Sequence, residues 1–141
     1  MKPDGIKQDK IQAIIYKKEG EDYKFLLLRR IPSRGGFWQS ITGRCEDGET
    51  HLEAAKREIK EEIDVDNLKE ILEDVYSFYL EEDPSKKEIA FGFEVESDTE
   101  VNLDICPEHD EAIWCTFDEA LKLLKWPQNK EALRKLMGRL K

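Results

Sequence analysis

Cysteine and histidine are scarce in this sequence. Its 141 residues include only three cysteines, Cys45, Cys106 and Cys115, and two histidines. Three cysteines cannot all pair within one chain, so we expect free thiols rather than a disulfide framework. A zinc site built from Cys106, His109 and Cys115 is disfavoured, because structural zinc sites use paired ligands at regular spacing.

Positive charge and long apolar runs are also lacking. Lys and Arg total 23 against 32 Asp and Glu, which gives a formal net charge of -9. This balance argues against nucleic-acid polymers and anionic membranes as partners, since both need a basic surface. Small phosphorylated substrates remain compatible with this negative net charge, because a bound divalent cation inverts the local charge.

No apolar run approaches the roughly 20 residues that span a bilayer, and the N-terminus is too polar for a secretory signal. We therefore expect a cytoplasmic protein.

The length and the hydrophobic pattern predict one α/β domain over residues 1–141. A chain of this size can bury roughly two thirds of its surface, which leaves no room for a second domain. Alternating and apolar segments bounded by turn residues predict strands, and helical spacing returns from residue 117 to the end. The predicted strands are 11–18, 23–30, 71–80, 87–97 and 111–117. This order favours a mixed sheet with helices packed on it.

Acidic residues crowd around one predicted helix between residues 43 and 65, GRCEDGETHLEAAKREIKEEIDV. Thr50 and Glu53 form a capping-box pair, so the helix is predicted to start at about Thr50. At about 100° per residue one apolar stripe faces the core. Its members are Leu52, Ala55, Ile59 and Ile63.

Three glutamates, Glu58, Glu61 and Glu62, lie together on the arc beside this stripe, where we expect them to border the core without entering it. Residues three and four apart are neighbours on a helix, so these carboxylates can converge on one point. Carboxylate oxygens suit Mg²⁺ or Mn²⁺, and a cation would offset their mutual repulsion. The alternative is a solvated charged face, although a bare cluster beside apolar surface would be partly desolvated and costly.

The whole stretch resembles the Nudix box, G-x5-E-x7-R-E-U-x-E-E-x-G-U, in which U is aliphatic. The matching residues are Gly43, Glu49, Arg57, Glu58, Ile59, Glu61, Glu62 and Val65. Asp64 replaces the last glycine of the box, which ends a helix in the left-handed conformation; Asp tolerates that conformation at a cost of about 1 kcal/mol. The surrounding order of elements also resembles the Nudix α/β/α sandwich, so the resemblance implies that fold with a mixed central sheet.

Nudix hydrolases cleave a diphosphate bond in a nucleoside diphosphate linked to another moiety, with divalent cations held by the glutamates of the box. The resemblance implies Mg²⁺, or Mn²⁺, as the cofactor. The implied ligands are the carboxylates of Glu58, Glu61 and Glu62 and the carbonyl of Thr42. Gly43, Glu49 and Arg57 would support the loop and the helix behind these ligands.

The group that takes the proton of the attacking water stays open among Glu61, Glu62 and Glu108. Nudix enzymes often need a carboxylate from a loop outside the box. Glu108 is the first candidate, because Glu-His followed by a strand tryptophan recurs at that place in similar proteins, and Glu111 is the second. We expect His109 to be a hydrogen-bonding residue in a loop rather than the base.

The segment FWQSITG, residues 37–43, together with Glu108-His109, Trp114 and Trp126, is similar to bacterial dihydroneopterin triphosphate pyrophosphohydrolases, which also accept dATP. Arg30 and Arg34 are candidates for contacts with substrate phosphates, Trp38 for stacking on the ring and Gln39 for reading the base. Equally, an arginine at a strand end is commonly solvated and an aromatic residue here commonly packs in the core.

The working hypothesis is a Mg²⁺-dependent pyrophosphohydrolase acting on dihydroneopterin triphosphate or dATP and releasing pyrophosphate. Two alternatives remain open: a dinucleoside polyphosphate or nucleotide-sugar hydrolase, and a non-catalytic nucleotide-sensing module of the same fold. A homodimer is also open, since Nudix proteins are often dimers.

Overall fold

The computed structural model describes residues 8–141. The expectation that the N-terminus is too polar for a secretory signal falls largely on residues 1–7, outside this range. The helices and strands are β1 Lys10–Glu19, β2 Asp22–Arg30, β3 Trp38–Gln39, β4 Ile41–Arg44, α1 His51–Ile63, β5 Glu70–Tyr79, β6 Lys87–Glu94, β7 His109–Cys115, α2 Phe117–Leu123 and α3 Pro127–Leu140, with a 3-10 turn at Pro32–Arg34. Within residues 8–141, every helix is too short or too polar to cross a bilayer.

All of these strands belong to one mixed sheet. Its order is β3-β2-β1-β6-β5, while β4 pairs with β1 and β7 pairs with β2. β1 and β6 run parallel, whereas β1–β2 and β5–β6 are antiparallel pairs. The central strand β1 therefore has neighbours on both edges, and its long apolar run is the pattern expected of a strand buried on both faces.

Helices cover both faces of the sheet. Alternation along β1 sends Ile11 and Ala13 into the core under α1, where they meet Ile59, and sends Ile14 to the opposite face, where Leu136 of α3 packs. The predicted α/β/α sandwich with a mixed central sheet is confirmed. The three cysteines are buried free thiols.

α1 begins and ends where the sequence predicts. The hydroxyl of Thr50 accepts a hydrogen bond from the backbone N–H of Glu53, and the Glu53 carboxylate accepts one from the backbone N–H of Thr50, which completes the capping box. At the other end Asp64 adopts the left-handed conformation, with φ 58° and ψ 44°. Its carboxylate lies 2.8 Å from Lys60 Nζ, and this exposed ion pair offsets only part of the strain.

Substituting Asp64→Gly is expected to raise the free energy of unfolding by about 0.5 kcal/mol. Glycine removes the left-handed strain, while the lost ion pair and the more flexible unfolded chain cancel part of that gain. Urea unfolding measures the change, with Asp98→Gly as the control, because Asp98 lies in an exposed turn without a positive φ. The control should lose stability; a comparable loss in Asp64→Gly would contradict the strain argument.

Candidate active site

Arg57 ties α1 to the loop before it. Its Nε and Nη2 donate to the two carboxylate oxygens of Glu49 at 2.7 and 3.0 Å. Nη2 also donates to the carbonyl oxygen of Arg44 at 2.8 Å, and Nη1 donates to Glu58 at 2.7 Å and to Glu61 at 3.2 Å. The planar fork of the guanidinium supplies these donors in one fixed geometry. Arg57 and Glu49 therefore brace the loop, the end of β4 and the helix together, as the resemblance implied.

Stability at acid pH should depend on Glu49. Hydrogen bonds from Arg57 hold the pKa of Glu49 below its ordinary value, so its contribution to stability is present above the unfolded-state pKa of about 4.3 and is lost as the pH falls through the lower folded-state value. We expect Glu49→Gln to be less stable than the wild type at pH 7 and to lose less stability between pH 5 and pH 3. The midpoints of urea unfolding between pH 5 and pH 3 measure the stability of both proteins. An equal pH dependence in the wild type and in Glu49→Gln would contradict the predicted role of Glu49.

The side chain of Glu62 is buried, with 4% of its surface exposed. The expectation that all three glutamates border the core without entering it was therefore wrong for Glu62. The reason lies outside the helix, because the first residue of β7, His109, covers this arc of α1 and places its Nδ1 3.7 Å from Glu62 Oε1. Among the described residues 8–141, neither of these two atoms has a hydrogen-bond partner.

Burial, followed by interaction with the neighbouring carboxyl group of Glu58, raises the pKa of Glu62. A divalent cation fits this arrangement, because it would offset the repulsion between the two carboxylates and give the Oε1 atom of Glu62 a partner. Glu61 instead points toward Arg57 and solvent. In the described chain no three acidic, histidine or cysteine side chains converge in metal-binding geometry.

Gly43 allows Glu58 to lie directly against β4. A Cβ atom at this position would overlap the Glu58 carboxylate, so any larger residue would displace that group. This close approach gives a physical reason for the first glycine of the motif. Thr42, the neighbour of Gly43, lines the pocket described below, so its backbone lies between the carboxylate pair and the pocket.

Glu108 lies among the cationic residues suggested for phosphate binding. Its Oε1 accepts a hydrogen bond from Arg34 Nη1 at 2.9 Å and lies 3.7 Å from Arg30 Nη2. The charges of both Glu108 and Arg30 act on Glu62. The structure thus places the first candidate carboxylate beside the buried pair. Glu111, the second candidate, pairs instead with Arg29 at 3.2 Å.

His109 begins β7, so its predicted place in a loop was wrong. The strand extends to His109 because β2 and β7 remain paired past a register shift, with Arg30 opposite His109. Burial is the main cause that lowers the pKa of His109, which favours the neutral ring. Gln39 Nε2 lies 3.3 Å from His109 Nε2, and the amide donates to the ring when the proton is on Nδ1. The expected hydrogen-bonding role of His109 agrees with this contact.

A pocket of about 530 Å³ lies beside this site, within the usual size of small-molecule sites. The predicted residues Arg30, Gln39 and Thr42 line it, together with the aromatic rings of Phe37 and Trp126. These two rings meet edge to face, with centroids 5.9 Å apart. The lining also includes Lys10, Phe78, Glu88 and Asn129, which the sequence reasoning did not single out.

Trp38 is not among the residues that line the pocket. It packs against the core on the side of α2 and α3, and the Arg29 guanidinium lies 5.7 Å from its ring centroid. Successive residues of a strand point to opposite faces, which separates Trp38 from Gln39. The pocket-facing aromatic residues are Phe37 before the strand and Trp126 before α3, and only the tertiary arrangement brings these two together.

Residues 7–136 match the family model described as NUDIX domain. The chain therefore belongs to the NUDIX domain family. This match spans the braced loop, α1, the buried carboxylate pair and the strands that form the pocket.

Individual relatives give a finer comparison. The chain is 42% identical over 62 residues to the dihydroneopterin triphosphate diphosphatase of Escherichia coli K12, covering 44% of this chain and 39% of that protein. It is 32% identical over 126 residues to an octanoyltransferase of Myxococcus xanthus, covering 89% of this chain and 35% of that protein. The chain thus spans well under half the length of these curated relatives.

Two solved structures have similar folds over nearly their whole length. The E. coli dihydroneopterin triphosphate pyrophosphohydrolase has a TM-score of 0.76 and 25% identity, covering 94% of this chain and 97% of that one. A Caenorhabditis elegans Ap4A hydrolase complex has a TM-score of 0.77 and 27% identity, with the same two coverages. The likeness in fold is equally good for both.

Proposed function

We propose that this chain is a Mg²⁺-dependent pyrophosphohydrolase that cleaves a diphosphate bond in a small nucleoside triphosphate-like substrate. The observation that carries the proposal is the buried carboxyl group of Glu62 beside the partly buried Glu58, next to a pocket with cationic side chains and aromatic rings. Within residues 8–141 one oxygen of Glu62 has no hydrogen-bond partner. Holding two acidic groups together where little water reaches them is costly unless a cation binds them. Family membership supports the same reading.

Glu58 and Glu62 would hold the cation, helped by the Thr42 carbonyl and by Glu61 after it turns from Arg57. When bound, Mg²⁺ or Mn²⁺ stabilises negative charge on phosphate oxygens and lowers the pKa of the attacking water. Arg57 keeps Glu58 in position through a 2.7 Å hydrogen bond. Because it also neutralises part of the negative charge, Arg57 allows the site to fold without the metal.

Arg30 and Arg34 would bind substrate phosphates and Glu61, Glu62 or Glu108 would accept the proton of the water. Glu108 is held by both arginines, so phosphate binding would compete for its cationic partners and release its carboxylate. Gln39 and the rings of Phe37 and Trp126 would contact the ring system of the substrate.

Dihydroneopterin triphosphate or dATP, with pyrophosphate as a product, is the proposed substrate. The E. coli relatives named for dihydroneopterin triphosphate support the pterin compound. The likeness to the Ap4A hydrolase supports a dinucleoside polyphosphate as the second candidate. We further propose a cytoplasmic location, with no nucleic-acid polymer or membrane as partner, in agreement with the net charge of -9.

A substrate panel tests the proposal. It contains dihydroneopterin triphosphate, dATP, 8-oxo-dGTP, diadenosine tetraphosphate and ADP-ribose, each with Mg²⁺ and with EDTA, and Glu61→Gln as the variant control. Mg²⁺-dependent release of pyrophosphate from the first two, reduced in the variant, is the expected result. Turnover of only the last two would overturn the pterin assignment, and binding without any turnover would favour a nucleotide-sensing module.

A further inference from the structure

Lys10, Thr42, Phe78 and Glu88 line the pocket, and each comes from a different strand of the sheet. The strand register places Gln12 opposite Thr42 and Glu88 opposite Phe78, so each pair shares one face of the sheet. Lys10 stands opposite Glu88 across the parallel pair β1 and β6. These residues lie on the face that α3 covers, whereas α1 covers the other face. This part of the pocket is therefore built from four adjacent strands.

Glu88 is a buried carboxylate without an ionic partner. Only 7% of its surface is exposed, and no Lys, Arg or His nitrogen in residues 8–141 lies within 4.0 Å of its carboxylate. Lys10 and Arg44, the nearby cations, each contact Glu82 at 3.4 Å instead. Burial raises the pKa of Glu88 to about 7. A buried carboxylate without a nearby cation destabilises the folded state, and this cost indicates that Glu88 has a role in ligand binding.

Gln12 lies beside Glu88, and its side-chain oxygen is a further hydrogen-bond acceptor close to the Glu88 carboxylate. Its Nε2 donates to Glu88 Oε2 at 3.1 Å, and the side chain is fully buried. In the part of the chain that the structure describes, the carbonyl oxygen of this amide has no hydrogen-bond partner. Glu88 and Gln12 therefore place several acceptor oxygens close together.

We propose that Glu88, supported by Gln12, selects substrates whose ring presents two adjacent N–H donors, as the 2-amino-4-oxopyrimidine edge of guanine and pterin does. This inference rests on the proposed function, because it assigns the base end of the same substrate pocket. The two oxygens of an ionised carboxylate can accept hydrogen bonds from both ring N–H donors at once. Adenine presents a donor beside an acceptor, so one oxygen of the carboxylate would face a lone pair, which disfavours that ring.

The remaining walls of the pocket fit this orientation. Phe78 and Trp126 supply apolar surface against which a flat ring can lie, and Arg30 lines the same pocket. A substrate with its ring on Glu88 can therefore direct its phosphates toward Arg30 and the pair of Glu58 and Glu62. The preference for a donor edge would make dATP the poorer of the two substrates proposed above.

Binding of dGMP and dAMP without metal tests the inference independently of catalysis. Isothermal titration of the wild type should give an affinity about 10- to 100-fold higher for dGMP, the size expected for one two-point contact to a base edge. Glu88→Gln should lower this ratio at least tenfold, because its amide pairs a donor and an acceptor and so complements adenine. Glu96→Gln, which removes the same charge at an exposed position outside the pocket, should keep the wild-type ratio.

Equal wild-type affinities, or a ratio unchanged by Glu88→Gln in protein with wild-type circular dichroism, would overturn the inference. Hydrolysis of dGTP and dATP by the same proteins separates it from the proposed function. A ratio that shifts as expected without any hydrolysis supports the binding role of Glu88 and contradicts only the enzymatic proposal. Hydrolysis with no base preference in binding contradicts only the role of Glu88.

Discussion

Glu62→Gln is expected to lower kcat for diphosphate cleavage by about 100- to 1,000-fold, the range seen when one group that stabilises transition-state charge is removed. Glu62 is buried, and this burial together with the neighbouring Glu58 raises its pKa. An amide keeps the shape of this side chain but contributes no charge to a cation. Steady-state rates with saturating Mg²⁺ measure the loss. Glu96→Gln is the matched control, because Glu96 is an exposed carboxylate far along the chain from the site.

The same variant should fold normally. The amide can donate to Glu58, so Glu62→Gln should unfold at or above the wild-type temperature in EDTA. The wild type should gain stability from Mg²⁺, about 2.7 kcal/mol at a concentration 100 times its Kd, and the variant should gain much less. A variant that retains both full activity and full stabilisation by Mg²⁺ would exclude Glu62 as a ligand.

Arg57→Ala is expected to lower the free energy of unfolding by about 2–4 kcal/mol. The substitution leaves the largely buried carboxylates of Glu49 and Glu58 without their cation and the carbonyl of Arg44 without its donor. Removing one partner of a fully buried pair costs about 3–5 kcal/mol, and the Arg57 side chain retains 22% exposure, so the lower range applies. Urea denaturation in EDTA measures it.

Arg57→Lys separates charge from geometry. Lysine keeps the positive charge but cannot contact Glu49 through two parallel hydrogen bonds while also reaching Glu58. We expect an intermediate stability, with Mg²⁺ restoring part of the loss in both variants because a cation replaces some of the missing charge near Glu58. Equal stability of all three proteins would contradict the bracing role of Arg57.

The ends of several helices and strands were predictable, because the residues that fix them are close together in the sequence. The capping box of Thr50 and Glu53 fixed the start of α1, and the turn at residues 19–22 fixed the first hairpin. Pro127 stands at the first position of α3, as its missing N–H predicts. The four-residue spacing of Glu58 and Glu62 also predicted that their carboxylates lie close together on the helix. The close contact between Gly43 and Glu58 adds a physical basis that spacing did not contain.

The environment of the site was not predictable because it depends on distant strands. Glu62 is buried partly because His109, at the start of β7, lies against it, and a helical wheel cannot show that contact. The sequence did not single out Glu88, which is buried in a strand paired with β1 on one side and β5 on the other. Phe37 and Trp126 lie 89 positions apart in the printed sequence, so their shared wall of the pocket is a tertiary feature.

The most direct test of the central claim is to identify the bond that is cleaved. Phosphorus NMR of dihydroneopterin triphosphate incubated with the wild type should show pyrophosphate and the monophosphate appearing together in Mg²⁺, with neither in EDTA nor with Glu62→Gln. Orthophosphate as the primary product, or equal turnover in EDTA, would contradict a metal-dependent pyrophosphohydrolase built on Glu58 and Glu62.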